Sequence, residues 1–396
     1  MSKVNFLDES FISNPFPIYQ SIRETDPIYR FILPNGEYAW IVTTYEYALK
    51  VLKDPRYVIN PTPNEKEETD PYKAIMSKNL LSVHSDDHRR LRKLVQKAFT
   101  PKMIENLRGR IEEISEELLD KVESHQKMDL IDDYAFPLPI IVICEMLGIP
   151  EHDQDKFRSW SNTIMEGIHN PEQATQSEMA IISFVDYLKE LITLRKSNLK
   201  NDLLSDLIRA EEDGNSLSEN EMYALVFVLI LAGHETSVNL IGNGVLALLE
   251  HPEQKDKLIE NPHLIHSAIE EMLRFNGPAE VSNIRWTTED VELGEKKIKA
   301  GEMVFISFSS ANRDKSRFVE PESFDITRKV NDHLAFGKGI HFCLGAPLAR
   351  LEGEIAIRSL FKRLPDLRLD GHFDQIQWRP GMIIRGAKKI PIVFNF

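Results

Sequence analysis

From Asp87 to about Asn261, apolar residues return every three to four positions, the period of helices that bury one face. The punctuation agrees with that period. Thr100-Pro101 places a capping hydroxyl before a proline at a first helical position. Ser218-Glu219 opens a segment that runs to Leu249 and stops before Pro252. This segment is apolar around much of its circumference at Leu225 to Leu231, so it is expected to cross the middle of the molecule.

The flanking regions are patterned differently. A short helix is predicted near Pro17 to Thr25, followed by a hairpin. In the hairpin Asn35-Gly36, a pair that accepts positive φ, separates Ile28 to Leu33 from Tyr38 to Thr43. Residues 60–82 read as an irregular loop or lid. The last third mixes helices at Pro262 to Phe275 and Ala346 to Leu364 with strand-like pieces at Val281 to Thr287, Lys297 to Ile298, Met303 to Ser309 and Ile390 to Phe394. No strand-helix alternation points to a parallel sheet. The expected class is mainly α with small β-sheets (α+β), as a single domain over residues 1–396.

Composition narrows the function. With 42% hydrophobic and 28% charged residues among 396, the chain has the make-up of a soluble globular protein. Lys+Arg 48 against Asp+Glu 62 leaves a net charge of -14, which repels phosphate backbones and argues against a nucleic-acid binder. The N-terminus lacks the apolar core of a signal peptide, and the longest apolar run, Met222 to Gly233, is too short to span a bilayer. A cytoplasmic protein with no membrane partner is expected. The 2 cysteines, Cys144 and Cys343, are too few for a disulfide scaffold.

Cys144 lies in the apolar segment IVICEMLGIP and reads as a small core residue. Cys343 sits in Phe336-Gly337-Lys338-Gly339-Ile340-His341-Phe342-Cys343-Leu344-Gly345, just before a helix start where free N–H groups favour a thiolate. Zinc would need more ligands than this spacing offers, and a cysteine nucleophile would need His341 as its base. An axial thiolate for haem iron needs one cysteine, glycines and packing aromatics, all of which are present.

The segment FGKGIHFCLG resembles the haem-binding signature of the cytochrome P-450 family, and further segments match the same family in order between Asp87 and Arg350. The phrases AGHET, ANRD and HFCLGAPLARLE resemble soluble bacterial members, most nearly Bacillus enzymes that decorate polyketides and macrolides. The resemblance implies a haem-thiolate monooxygenase fold with a long central helix and haem b (iron protoporphyrin IX) ligated by Cys343. Phe336 and Gly345 would frame the ligand loop.

Other residues acquire roles by the same resemblance. In Ala232-Gly233-His234-Glu235-Thr236, a carboxylate and a hydroxyl sit on an otherwise apolar helix, where burying an acid is costly without a purpose. A mid-helix threonine can also bond the carbonyl four residues back and open the helix locally. The resemblance makes Glu235 and Thr236 a proton relay for dioxygen activation, with Ala232 and Gly233 against the haem. Glu271 and Arg274 match E-x-x-R and are expected to join Arg328 in a structural network. His88, Arg92, Arg285 and His341 are the expected propionate ligands.

Arg89, Lys93 and Lys97 form a basic stripe on a strongly acidic chain, a candidate dock for ferredoxin or flavodoxin supplied by an NAD(P)H-dependent reductase. Substrate contacts are expected in residues 60–82, in Ser159 to Ile168, and at Leu229, Glu280, Val281, Met382 and Ile383, all lining a site for a lipophilic molecule. A peroxide-driven peroxygenase and a non-catalytic haem sensor are the alternatives; neither needs the acid-alcohol pair.

Overall fold

The computed structural model describes residues 4–60, 72, 75, 77–83, 85–169, 171–212 and 215–395. The principal elements begin with helix α1 (Phe16–Thr25), strands β1 (Ile28–Ile32) and β2 (Tyr38–Val42), helix α2 (Tyr45–Lys53) and strand β3 (Tyr57–Val58). There follow α3 (Ser85–Ala98), α4 (Arg108–Glu123), β4 (Lys127–Asp129), α5 (Pro137–Met146), α6 (Gln154–His169), α7 (Ala174–Ser197) and the long α8 (Glu219–Glu250). The chain continues through α9 (Ile265–Asn276), β5 (Arg285–Thr287), β6 (Met303–Ile306), α10 (Ala346–Arg363), β7 (Arg368–Leu369) and β8 (Pro391–Val393). The fold is mainly helical with small sheets.

Two compact units emerge. One comprises Met1–Pro61, Ser115–Ala135 and Thr236–Phe396; the other comprises Thr62–Ile114 and Phe136–Glu235. The first unit holds a five-stranded sheet in the order β1-β2-β6-β5-β3. Its hairpin forms as the pattern predicts, with Ile28 opposite Val42 and Ile32 opposite Tyr38, and with Gly36 at φ 86°. The Asn35 side chain closes the turn by accepting the Glu37 N–H at 3.1 Å.

Several expectations are corrected here. β6 runs parallel to β2, Met303 beside Ala39, although no strand-helix alternation announces the pairing. Residues 127–129, expected to be helical, form β4 and pair with β8, Met128 opposite Ile392. This pairing is non-local, so helical periodicity on either side hides it. The strand expected from Val281 is continuous only from Arg285; before it Val281 makes an isolated bridge to Ser307, the Ser282 N–H donates to the Ile306 carbonyl at 2.8 Å, and the Ser282 hydroxyl takes the Ile306 N–H at 3.0 Å. The strand expected to reach Ser309 ends at Ile306, since Ser307 caps a short helix by accepting the Ser310 N–H at 3.1 Å.

The second unit is built on α3, α5, α6, α7 and the N-terminal part of α8. Thr100 caps as expected, accepting the Met103 N–H at 3.2 Å. α8 opens with a capping box: Glu221 accepts the Ser218 N–H at 2.8 Å and Ser218 accepts the Glu221 N–H at 3.4 Å. Edge-to-face contacts of Phe184 with Phe157 and Phe227, each at 5.0 Å, tie α6, α7 and α8 together. A small hairpin, Glu211–Glu212 with Asn215–Ser216, interrupts the otherwise helical run. By length and composition α8 is apolar enough to cross a membrane, yet 67% of its most apolar window is buried inside the protein. It is a core helix.

Candidate functional site

In the first unit, the segment before α10 makes a tight loop. The Cys343 N–H donates to the Phe336 carbonyl at 2.9 Å, and the Phe342 N–H donates to the Gly339 carbonyl at 3.1 Å. Gly337 and Gly339 take φ of 66° and 78°, left-handed values that a side chain resists. At Gly339 a Cβ would also come within 2.8 Å of the Leu52 carbonyl oxygen. These glycines leave Cys343 and His341 half-buried at the head of α10. Gly345 is the residue before that helix, and a Cβ there would stand 4.0 Å from the Cys343 sulfur. Cys144 contrasts sharply: it is fully buried, and burial, reinforced by Glu145, pushes its thiol up to about 12.

Arg285 lies in the same unit on β5. It is 6% exposed, its Nη1 donates to the Tyr57 carbonyl at 3.3 Å, and its Nε is buried with no partner. Burial alone holds this guanidinium down to about 10. Among the described residues no carboxylate pairs with it, and a buried cation with an unused donor is an incomplete ion pair. In the second unit His88 and Arg92 stand one turn apart on α3. Burial, then the Arg92 charge, lowers the His88 imidazole to about 4. That repulsion is what an anion placed between them would reverse.

α8 carries the acid-alcohol pair. The helix runs from Glu219 to Glu250 and so carries Thr236 near its middle. Glu235 is 3% exposed. Leu229 and Thr236 are half-buried, and Ala232 and Gly233 are exposed in the middle of a helix that is otherwise largely interior. A Cβ on Gly233 would meet nothing within 4 Å. His234, between Gly233 and Glu235, is buried edge-on to Phe136 at 4.2 Å, with Nε2 3.2 Å from the Phe136 carbonyl. It fastens α8 to the start of α5.

Glu271, Arg274 and Arg328 do meet. Arg274 Nε and Nη2 donate to the two Glu271 oxygens at 2.8 Å each, and Arg328 Nε reaches Glu271 Oε2 at 3.0 Å. Arg274 also donates to the Asn312, Pro321 and Ser323 carbonyls at 3.0, 2.8 and 2.9 Å. The Asn331 amide completes the carboxylate at 3.1 Å. Sequence spacing gives no hint of those carbonyl partners, which come from an irregular stretch far along the chain.

The substrate candidates divide. Residues 60–82 fall for the most part outside the described residues. Ile383 is 42% exposed and Met382 is partly buried against an apolar cluster. Val281 belongs to that cluster's interior at 1% exposure. Glu280 is 3% exposed and accepts the Tyr19 hydroxyl at 3.2 Å. Burial pushes its carboxyl up to about 7, against the pull of Arg385 and the Tyr19 hydrogen bond. Both side chains are buried, beside the Met382–Ile383 loop. Their backbone N–H groups donate to the Ile383 carbonyl at 2.9 and 3.3 Å, which fixes that loop from behind. On α3, Arg89, Lys93 and Lys97 are exposed, and Arg89 pairs with Asp86.

Another buried acid went unnoticed in the sequence. Glu352, on α10, is 2% exposed, and burial pushes it up to about 8 against a hydrogen bond from Ser237. A lone Glu in an amphipathic helix gives no signal of such a site.

A thiolate-ligated iron porphyrin calls for one accessible cysteine, cations for its two propionates and small apolar surroundings. The half-buried Cys343 and the unpaired Nε of buried Arg285 fit that group. Comparison with known proteins agrees. The Cytochrome P450 family profile matches residues 12–169 and 170–367. Polyketide biosynthesis cytochrome P450 PksS of Bacillus subtilis (strain 168) is 43% identical over 97% of this chain and 96% of its own length. The solved PksS structure superposes with a TM-score of 0.93, covering 99% of this chain and 100% of that one at 42% identity. P450BioI, solved in complex with hexadec-9Z-enoic acid ligated acyl carrier protein, has a TM-score of 0.91 at 38% identity, covering 98% and 99%. The 6-deoxyerythronolide B hydroxylase of Saccharopolyspora erythraea is 38% identical over 97% of each chain.

Proposed function

The chain belongs to the cytochrome P450 family and is a monooxygenase-type oxidoreductase, and on that premise we propose that it hydroxylates a lipophilic small molecule while holding haem b through Cys343. The observation that carries this reading is the half-buried Cys343, pinned by the Phe336 carbonyl in a glycine-shaped loop at the head of α10. When bound, the haem supplies dioxygen activation, with thiolate donation favouring O–O cleavage.

The chain's own groups do the rest. Cys343 ligates the iron. Arg285, His341, His88 and Arg92 would hold the propionates, and Ala232 and Gly233, which carry no bulky side chains, would leave room for the ring. Glu235 and Thr236 hold and pass protons, Thr236 through its hydroxyl oxygen. Glu271, Arg274 and Arg328 keep the irregular stretch before the ligand loop in place. Leu229, Met382 and Ile383 orient the substrate, while Glu280 and Val281 support them from within.

The substrate is of polyketide, macrolide, terpenoid, steroid or fatty-acid type, in keeping with the polyketide relatives. P450BioI favours a second form of the same substrate, an acyl or polyketide chain presented on a carrier protein. Electrons come from a ferredoxin or flavodoxin and its NAD(P)H-dependent reductase, docking at Arg89, Lys93 and Lys97. The work is done in the cytoplasm, and by one catalytic domain, the latter supported by a family match that covers residues of both units.

The test is optical. The reduced, CO-treated protein is expected to give the red-shifted Soret band of thiolate ligation, and Cys343→Ala to lose it; a band that is absent, or that survives the substitution, defeats the reading. Titrating the ferric protein with lipophilic compounds, free and carrier-bound, then identifies the substrate form. With reductase and donor, Thr236→Ala should divert reducing equivalents from product to hydrogen peroxide. Equal turnover with peroxide alone would favour the peroxygenase alternative.

A further inference from the structure

Glu270 and Glu271 are neighbours on α9, about 100° apart around the helix, and they serve different ends. Glu271 points into the buried arginine network described above. Glu270 receives Arg350 of α10 in a two-pronged contact, Nε to Oε1 at 2.6 Å and Nη2 to Oε2 at 2.9 Å. His333, buried at 7% exposure, adds a contact from Nε2 to Oε2 at 3.2 Å, while its Nδ1 accepts the Ala335 N–H at 3.2 Å. An Nδ1 that accepts places the ring proton on Nε2, so His333 donates to Glu270 as a neutral imidazole. Burial pushes the Glu270 carboxyl up, but the hydrogen bonds from His333 and Arg350 and the Arg350 charge outweigh it and hold it down to about 2.

Anchored this way, Arg350 lays its guanidinium over the Phe336 ring, 4.5 Å from the centroid. Phe336 is the residue whose carbonyl accepts the Cys343 N–H at 2.9 Å. The same ring meets His333 at 6.0 Å and Phe342 at 6.3 Å. A continuous line of contacts therefore runs from Glu270 through Arg350 and Phe336 to the backbone of the cysteine.

We propose that Glu270, Arg350 and His333 are positioning residues for the ligand sulfur: they clamp Phe336 and thereby fix how the loop presents Cys343. The inference rests on the haem-thiolate reading, but its geometry belongs to the chain alone. Groups that orient a metal ligand from behind typically change metal retention by about tenfold or more when removed. Lysine cannot replace Arg350, because a point charge lacks the planar fork that pairs with a carboxylate and stacks on a ring together.

The first measurement uses haem-free protein. Alkylation of Cys343 is followed by mass spectrometry at fixed pH, with fully buried Cys144 as the unreactive internal reference. Arg350→Gln and Arg350→Lys should each raise the Cys343 rate about tenfold, and Glu270→Gln should raise it less. Arg363→Gln is the control: it removes an ion pair to Glu116 at 2.7 Å and Asp120 at 3.0 Å from the far end of α10, and should leave the rate unchanged.

In the second measurement, haem transfer to a scavenger should be about tenfold faster from Arg350→Gln, with part of the CO band moved to the thiol-ligated position. Rates within twofold of wild type in Arg350→Gln, or an equal rise in Arg363→Gln, overturn the clamp. If Arg350→Gln does not fold, Glu270→Gln decides by the same criteria. A wild-type protein without a thiolate band defeats the haem reading instead, and the alkylation rates still decide the clamp.

Discussion

Arg274 and Arg285 are both buried in the same unit, at 1% and 6% exposure, and they are opposites. Arg274 spends its donors on both oxygens of Glu271 and on three backbone carbonyls. Among the described residues Arg285 has one hydrogen bond, of 3.3 Å, an unused buried Nε and a guanidinium that burial holds down to about 10. A saturated buried cation is part of the scaffold, since every group desolvated by folding finds a partner inside the protein. An unsaturated one leaves desolvation uncompensated until an anion arrives, so it marks a place for a ligand. Glu280 stands between these cases: buried, hydrogen-bonded to Tyr19, and under the influence of Arg385, whose own guanidinium donates to the Ile12 and Ser13 carbonyls.

The largest effect expected from this contrast is in the stability of the haem-free protein. Arg274→Met breaks a saturated network and should cost about 3–5 kcal/mol in urea unfolding. Arg285→Met should leave the same measurement unchanged or raise it. A comparable loss in both would erase the distinction.

The intermediate case is read through pH. The Glu280 carboxyl is raised from 4.5 to about 7 by folding, so the folded state binds its proton more tightly than the unfolded state does. Its contribution to stability is full below about 4.5 and is lost as the pH climbs through about 7, a loss of about 3.4 kcal/mol by linkage. The difference in unfolding free energy between wild type and Glu280→Gln should therefore fall across that window, and a flat difference would show the carboxylate to be well compensated.

A smaller effect is expected on haem retention, where Arg285→Met should weaken binding about tenfold, or 1.4 kcal/mol. Unaltered retention would mean the unused Nε has no ligand to serve. The smallest shift concerns His88, held down to about 4 by burial and Arg92. With haem bound, a neighbouring propionate should raise this pKa, a change that NMR of labelled histidine reads directly; an unmoved value would place His88 away from the propionates.

Much of the ligand loop could be read along the chain. Gly337 and Gly339 adopt positive φ for reasons visible in the motif, and the Thr100 and Ser218 caps and the Asn35-Gly36 turn form where their side chains predict. The E-x-x-R spacing correctly pairs Glu271 with Arg274, since residues three apart share a helix face. The burial of Glu280 and Val281 could not be read that way. Their burial depends on α1, β1 and the Met382–Ile383 loop closing over them, and no local period encodes it.

The sequence by itself determined the mainly helical class, the cysteine loop and the helix boundaries, because propensity, capping and glycine geometry act over a few residues. Tertiary structure alone decided that β2 and β6 lie parallel, that residues 127–129 leave the helical run to pair with β8, and which buried charges are satisfied. Satisfaction is a sum over partners from distant segments: Arg274 finds carbonyl partners in the stretch from Asn312 to Ser323, and among the described residues Arg285 finds only the Tyr57 carbonyl. Until the chain folds, the two arginines are chemically the same.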